Sequence, residues 1–379
     1  MNQDLTNTER ISAIVSNFAT EGVVADIRPL GNGLINDTFK VTTKAAETPD
    51  YVLQRINTSV FPDVDMLMGN IAAVTRHIRK KLEAAHESDI ERKVLRFLPA
   101  GDGKLYHREA DGTVWRMMVF IPNAKTYEAV TPEYSYFAGK AFGHFEDMLV
   151  DIPEKLGEVI PNFHNMEFRL EQLREVTAKD PVNRAGEAPV RQLLTLINKD
   201  AEEMCKAERL YREGKLPKRV CHCDTKVNNM MFDENGHVLC VIDLDTVMPS
   251  FVFSDYGDFL RSAANTTAED DPDLSHVAFN EEIFKSFTRG YLEGARFLAP
   301  VEIDNLPYAV ALFPFMQSVR FLWDYLSGDH YWKCKYPEHN LDRARNQMRY
   351  YQCVREHDDM MRGYISNYSV SYLGMPNPE

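Results

Sequence analysis

The chain is 379 residues long, 44% hydrophobic and 26% charged, with a formal net charge of −14 at pH 7 and a sequence pI of about 5.3. That length fits one large domain or two lobes, since single cores stop growing near roughly 250–300 residues. The acidity and the lack of a basic run argue against nucleic acid as a partner, although a divalent metal can bridge acidic side chains to an anionic nucleotide.

The opening stretch MNQDLTNTERISAIVSNF has no basic segment followed by a long apolar run, so no secretory signal is expected. No window reaches the roughly 18 consecutive apolar residues of a spanning helix, so no membrane partner is expected. The six cysteines are unevenly spaced. They read as reduced thiols in a cytoplasmic protein.

Residues 8–20 have apolar side chains at helical spacing. The run VVADIRPLGNGLINDTFKVTT alternates, breaks at Gly31-Asn32-Gly33, and alternates again, which predicts two strands around a glycine turn. PDYVLQRIN predicts a third strand, and VDMLMGNIAAVTRHIRKKLEAAH a helix whose basic face is solvated. KVLRFLPA, LYHREA and TVWRMMVFIP supply further strands. The periodicity turns helical from about residue 130 and breaks at KLPKRVCHCD. There NMMFD and VLCVIDLD flank the turn ENGH and predict a hairpin. Helices then resume to the end. The expected class is α+β, with a β-rich lobe over residues 1–122 and a helical lobe over 123–379.

The polar stretch HCDTKVNNMMF holds the first chemistry. Cys221, His222 and Cys223 could suggest zinc, but a structural zinc site needs four ligands and no second pair stands at suitable spacing. Asp224 is followed by Asn229, and Asp243 ends the apolar run VLCVI, with Asp245 on the same face if the chain stays extended. A loop Asp, a loop Asn and a strand-end Asp are what phosphoryl transfer needs. One carboxylate serves as base near the attacking hydroxyl, and hard oxygens hold magnesium against the nucleotide phosphates.

The pattern H-x-D-x-x-x-x-N followed by I-D-x-D, with FSDYGDFLR beyond it, resembles the protein-kinase-like fold in its aminoglycoside phosphotransferase branch. Within that branch HCDTKVNNMMFD, VIDLDTVMPSFVFSDYGDFLR, VRFLWDYLSGDHYWKCKYPEHNL, GNGLINDTF and YVLQRINTSVFPD are similar to the N-acetylhexosamine 1-kinases. The resemblance implies two lobes with ATP and a small-molecule sugar as partners. The reaction it implies is magnesium-dependent phosphorylation of an N-acetylhexosamine at the anomeric hydroxyl. It assigns Asp224 as catalytic base, Asn229 and Asp243 to magnesium, Asp245 to the same metal site as a carboxylate behind the ligands or at a second metal, and His222 and Asp255 to bracing the loop. Gly31, Asn32, Gly33 and Asn36 would form the loop over the phosphates. Arg320, Asp324 and Tyr331 would contact the sugar, although Arg320 and Asp324 also stand at the spacing of a simple helix ion pair.

One position departs from the pattern. Small-molecule kinases of this fold usually carry Lys or Arg on the third strand, and here Gln54 stands in that place. Either Gln54 donates to the phosphates as a neutral amide, or a bulge brings in Arg55. Other readings stay open. The D-x-D could belong to a nucleotide-sugar glycosyltransferase, which calls for a doubly wound parallel sheet before the motif where this chain is helical. A nucleotide-binding pseudokinase is supported only by Gln54 and opposed by Asp224, Asn229 and Asp243. A kinase of another small alcohol fits the same residues.

Overall fold

Side-chain alternation builds the N-terminal sheet. In the computed structural model, which describes residues 2–30 and 36–373, helix α1 (Asn2–Val15) precedes strands β1 (Val24–Pro29), β2 (Asp37–Thr43) and β3 (Tyr51–Ile56). Helix α2 (Val64–Ala84) and the single turn α3 (Ile90–Lys93) lead to β4 (His107–Arg108) and β5 (Val114–Val119). The strands pair antiparallel in the order β1-β2-β3-β5-β4. Val41, Tyr51, Leu53, Trp115 and Met117 form a core with Ile11, Ile14, Val15 and Phe18. Period two turns Gln54 and Arg116 to the other face of the sheet, and the register sets them directly opposite each other. The predicted strand KVLRFLPA makes only isolated bridges, Phe97 with Met118 and Ala100 with Phe18. Pro99 has no N–H with which to extend a ladder.

The rest of the chain begins with helices α4 (Pro132–Leu149), α5 (Met166–Lys179), α6 (Ala188–Met204) and α7 (Lys206–Arg212). Strand β6 (Arg219–Cys221) enters the loop that carries Asp224, and β7 (Met230–Phe232) and β8 (Val238–Val241) form the predicted antiparallel hairpin. After β9 (Met248–Ser250) come α8 (Phe253–Ala263), α9 (Glu281–Gly294), α10 (Pro300–Asp304), α11 (Leu306–Ser327), α12 (His339–Glu356) and α13 (Asp358–Leu373). The α+β class is therefore as expected. Among the described residues no helix is long and apolar enough to cross a membrane.

Two compact units divide the chain. The first is Met1–Thr126 with Asp151–Ile160 and Met230–Met248, and the second is Tyr127–Val150, Pro161–Asn229 and Pro249–Glu379. Segment 230–248, assigned from the sequence to the helical lobe, joins the first unit for a visible reason. Lys125 and Phe232 exchange both backbone hydrogen bonds, at 3.0 and 2.9 Å. Asn70 of α2 donates to the carbonyls of Gly157 and Val247 at 2.8 and 2.9 Å and accepts the Gly157 N–H. One amide thereby fixes both later segments against α2.

In the second unit α11 is buried on nearly every side, which marks a central core helix. Helices α4 and α9 meet through glycine. A Cβ at Gly139 would lie 2.1 Å from the Phe287 carbonyl oxygen, and one at Gly290 would lie 2.1 Å from the Tyr136 carbonyl oxygen. No side chain fits there without moving a helix. Gly290→Ala should therefore destabilise the protein by about 1–3 kcal/mol or more, the usual range for overpacking. Gly69→Ala, in α2 with nothing within 4 Å, should stabilise it by about 0.5–1 kcal/mol. Urea unfolding of the two variants checks both signs.

Candidate active site

The loop after β6 is held from below. Asp255, in the first turn of α8, accepts the backbone N–H groups of His222 and Cys223, each at 2.7 Å. Its own carbonyl accepts the Thr225 hydroxyl at 2.8 Å. The His222 ring is buried edge-on to Phe142 and Phe145, and its Nδ1 accepts the Asp224 N–H at 3.3 Å. Cys223 adopts φ +64°, a left-handed conformation that a non-glycine residue keeps only where its surroundings enforce it. The two N–H bonds to Asp255 are that enforcement.

The side chains beyond this anchor are oriented in turn. Lys226 Nζ lies 2.7 and 2.9 Å from the two Asp224 carboxylate oxygens. The Asn229 amide nitrogen donates to the Asp224 carbonyl at 2.8 Å and more distantly to Oδ2 at 3.4 Å. With its nitrogen used by the loop, Asn229 has its amide oxygen left to offer a hard cation. The sequence reading missed Lys226, although it lies inside the quoted motif.

Several acids near this loop are costly to ionise. Burial raises Asp258 to about 6; Arg261 opposes the shift and the nearby Asp224 charge adds to it. Burial likewise raises Asp255 to about 6, against the pull of His222 and of the two N–H donors. Glu146 of α4 was not foreseen. It is fully buried, with Tyr291 donating to one oxygen and no hydrogen-bond partner for the other. Its carboxyl lies within 4.8 Å of the Cys221 thiol and the Asp255 carboxylate. Burial first, and the Asp255 charge second, hold it well above the ordinary carboxylate range. Burial also pushes up the Cys221 and Cys223 thiols.

Asp243 and Asp245, expected at the metal, belong to the first unit. Asp243 is exposed and takes φ +58°, and residues 244–246 form a single 3-10 turn. The chain is therefore not extended, and the two carboxylates do not share a face. Asp245 turns inward and is only 4% exposed. Arg116 Nη1 donates to its Oδ1 and Asn36 Nδ2 to its Oδ2, at 2.5 and 2.7 Å. Both of its oxygens accept from protein donors.

Asn36 and Gln54 are likewise engaged within the protein. Asn36, expected over the phosphates, spends its amide on Asp245 and accepts the Asn57 N–H at 2.9 Å. Gln54 accepts from Arg116 Nε at 3.0 Å and donates to Thr38 Oγ1 at 3.2 Å. Arg55 points the other way and pairs with Asp37 at 3.4 Å, with no bulge between β2 and β3. Gly31, Asn32 and Gly33 lie outside the described residues. Arg116 escaped the sequence reading. Its signal was a lone arginine amid the apolar run of β5.

In the C-terminal block Arg320 makes no ion pair with Asp324. Its Nη1 donates to Gln317 at 3.1 Å, and its guanidinium lies over the rings of Phe163, Trp332 and Tyr331, at 5.4, 5.2 and 5.9 Å. Tyr331 is 57% exposed. Asp324 is fully buried and accepts the backbone N–H groups of His330, Tyr331 and Trp332 and the Asn340 amide. It braces the loop that presents Tyr331, which corrects its expected contact with sugar. His164 hydrogen-bonds Ser254 at 3.0 Å.

Comparison with known proteins bears on the family and the fold. A family model described as a phosphotransferase enzyme family (APH) matches residues 26–298. The chain is similar to an aminoglycoside phosphotransferase from Alicyclobacillus acidocaldarius, with TM-score 0.60 and 14% identity over 94% of this chain and 96% of that one. An amicoumacin kinase solved with AMP-PNP and calcium aligns with TM-score 0.56 and 14% identity over 92% and 96% of the two chains. A choline kinase from Cryptosporidium parvum aligns with TM-score 0.54 and 13% identity over 94% and 98%. At such identities what is shared is the fold, the two-lobe protein-kinase-like one.

The upward shift of the Glu146 carboxyl has a measurable signature. Its folded pKa is raised above the unfolded value near 4.5. The stability it carries is therefore complete below that value and is lost as pH rises toward the folded pKa. Glu146→Gln removes this dependence. The difference in unfolding midpoint between variant and wild type should shift in the variant's favour as pH rises from about 5 to 9, a span that starts just above the unfolded carboxyl pKa. A difference that stays flat over that span would mean that the Glu146 carboxyl carries no such shift.

Proposed function

The chain belongs to the phosphotransferase enzyme family, and on that premise we propose that it is an ATP- and magnesium-dependent kinase that phosphorylates an N-acetylhexosamine, GlcNAc or GalNAc, at the anomeric hydroxyl. The observation that carries the reading is the anchored loop. Asp224 is oriented by Lys226 and Asn229 on a backbone whose N–H groups end on buried Asp255. In this reading Asp224 takes the proton of the attacking hydroxyl. Asn229 and Asp243 offer the hard oxygens that suit magnesium, which when bound neutralises charge on the nucleotide phosphates. The AMP-PNP and calcium of the amicoumacin kinase structure support a nucleotide and a divalent metal. Gly31, Asn32 and Gly33 are assigned to the phosphate loop by resemblance alone.

The acceptor is argued from the C-terminal block. Arg320 and Tyr331, beside Trp332 and Phe163, pair hydrogen-bonding groups with aromatic faces. A site built to hydrogen-bond a ring hydroxyl rejects analogues that lack it. The resemblance to N-acetylhexosamine 1-kinases leaves O1 toward Asp224, and that hydroxyl is the most acidic on the ring, which suits a carboxylate base. The withdrawal of Asp324 into its loop favours a second reading, in which the acceptor is another small alcohol needing fewer polar contacts.

Two experiments test these statements. Asp224→Asn should lower kcat by about 10²–10⁴-fold, the usual contribution of a positioned base, while nucleotide still binds. Retention of a tenth of wild-type turnover or more, a loss of about one order of magnitude at most, is too small for that role. A panel of amino sugars and small alcohols with ATP and magnesium, read by phosphorus NMR, should give a sugar 1-phosphate and no product from the 1-O-methyl glycoside of GlcNAc. Comparable turnover of the methyl glycoside would remove the O1 assignment, and turnover of choline-like alcohols alone would favour the second reading.

A further inference from the structure

We propose that Arg116 is a positioning residue for the nucleotide side of the reaction: acting through Asp245 and Gln54, it supplies from β5 the fixed positive charge that β3 lacks. The inference rests on reading the chain as an ATP-dependent phosphotransferase.

Arg116 is 2% exposed and Asp245 4%. Stability alone does not explain such a pair, because well-packed apolar residues of similar volume are often as stabilising. The connections of the pair are more informative. Asp245 sits two residues after Asp243, inside the short turn that Asp243 begins. Fixing Asp245 therefore fixes the backbone from which the Asp243 carboxylate projects. The second Asp245 oxygen is held by Asn36, the first described residue after the glycine-rich segment. Asn36 in turn accepts the Asn57 N–H at the end of β3. One carboxylate thus ties together β5, the start of β2, the exit of β3 and the metal segment.

Gln54 makes the arrangement specific. It lies directly across from Arg116 in the β3–β5 register, with its carbonyl toward Arg116 Nε and its amide nitrogen toward Thr38. A lysine at position 54 would place a like charge opposite a buried guanidinium, which is destabilising for a cross-strand pair. The neutral amide is what Arg116 requires of its neighbour. The neutral Gln54 on β3 and the cation Arg116 on β5 therefore fit together, with the positive charge on β5.

The test measures the Kd of Mg·ATP by calorimetry, without acceptor, alongside unfolding midpoints. Arg116→Met should weaken binding by roughly tenfold to a hundredfold, the scale of losing a hydrogen bond to a charged group. The double variant Gln54→Lys with Arg116→Met should recover most of that loss, because it restores a cation on β3. A folded Arg116→Met variant with wild-type affinity overturns the proposal. So does a double variant as weak as Arg116→Met, since a merely structural arginine would not be replaced by a lysine on another strand. Should Arg116→Met fail to fold, Gln54→Lys alone decides. The two facing cations should weaken Mg·ATP binding, and unchanged or tighter binding overturns the inference. A wild-type protein that binds no Mg·ATP would bring down the phosphotransferase reading and this inference with it. Binding that none of the variants alters brings down this inference only.

Discussion

Asp255 gives both carboxylate oxygens to backbone N–H groups of the loop that carries Asp224, and the chemistry proposed for this chain depends on that contact. A loop is ordinarily the least fixed part of a fold. Here its main chain is nailed to the first turn of α8, with Cys223 held in a left-handed conformation and His222 packed between phenylalanine rings. A side chain on such a loop is held nearly as rigidly as one on a helix. That is what a base needs if it is to meet a hydroxyl in one geometry.

The same device recurs. Asp324 gathers three successive backbone N–H groups and so shapes the turn that presents Tyr331. Asp245 gathers a guanidinium and an amide and so shapes the turn begun by Asp243. In each case a buried carboxylate is spent on geometry beside a more exposed neighbour. Burying a charge in this way is tolerable only where its hydrogen-bonding capacity is filled, and these three aspartates meet that condition. Glu146 does not, since one of its oxygens has no partner, and burial holds its carboxyl well above the ordinary carboxylate range.

The features legible in the sequence were those written in local pattern. Period-two alternation gave the strands and their faces, and with them the outward turn of Arg55. The NMMFD and VLCVIDLD runs around ENGH gave the hairpin. The spacing of Asp224, Asn229 and Asp243 gave the candidate chemistry. Illegible were facts that depend on two distant segments at once. Whether Asp245 shares a face with Asp243 depends on a 3-10 turn that no propensity signals. Arg116 looks like any arginine in a strand until β3 is laid beside it. Arg320 and Asp324 have the spacing of an ion pair, but spacing cannot reveal that the N–H groups of residues 330–332 have already claimed the carboxylate. The same limit moved segment 230–248 into the first unit, because the backbone exchange between Lys125 and Phe232 is a long-range pairing.

The seam between α4 and α9 bears on how a chain like this can diversify. A helix pair held by leucines can drift, because one residue shrinks as its neighbour grows and the volume is conserved. Here Gly139 and Gly143 face Gly290 and Gly294, and the distance between the helices is set by main-chain atoms. There is no volume to trade. The pair can change only on its outer faces, so that Glu146 of α4 and Tyr291 of α9 ride on a fixed platform while residues elsewhere are remodelled. Such a seam lets the rest of the unit be remodelled without re-solving the support beneath the loop that carries Asp224.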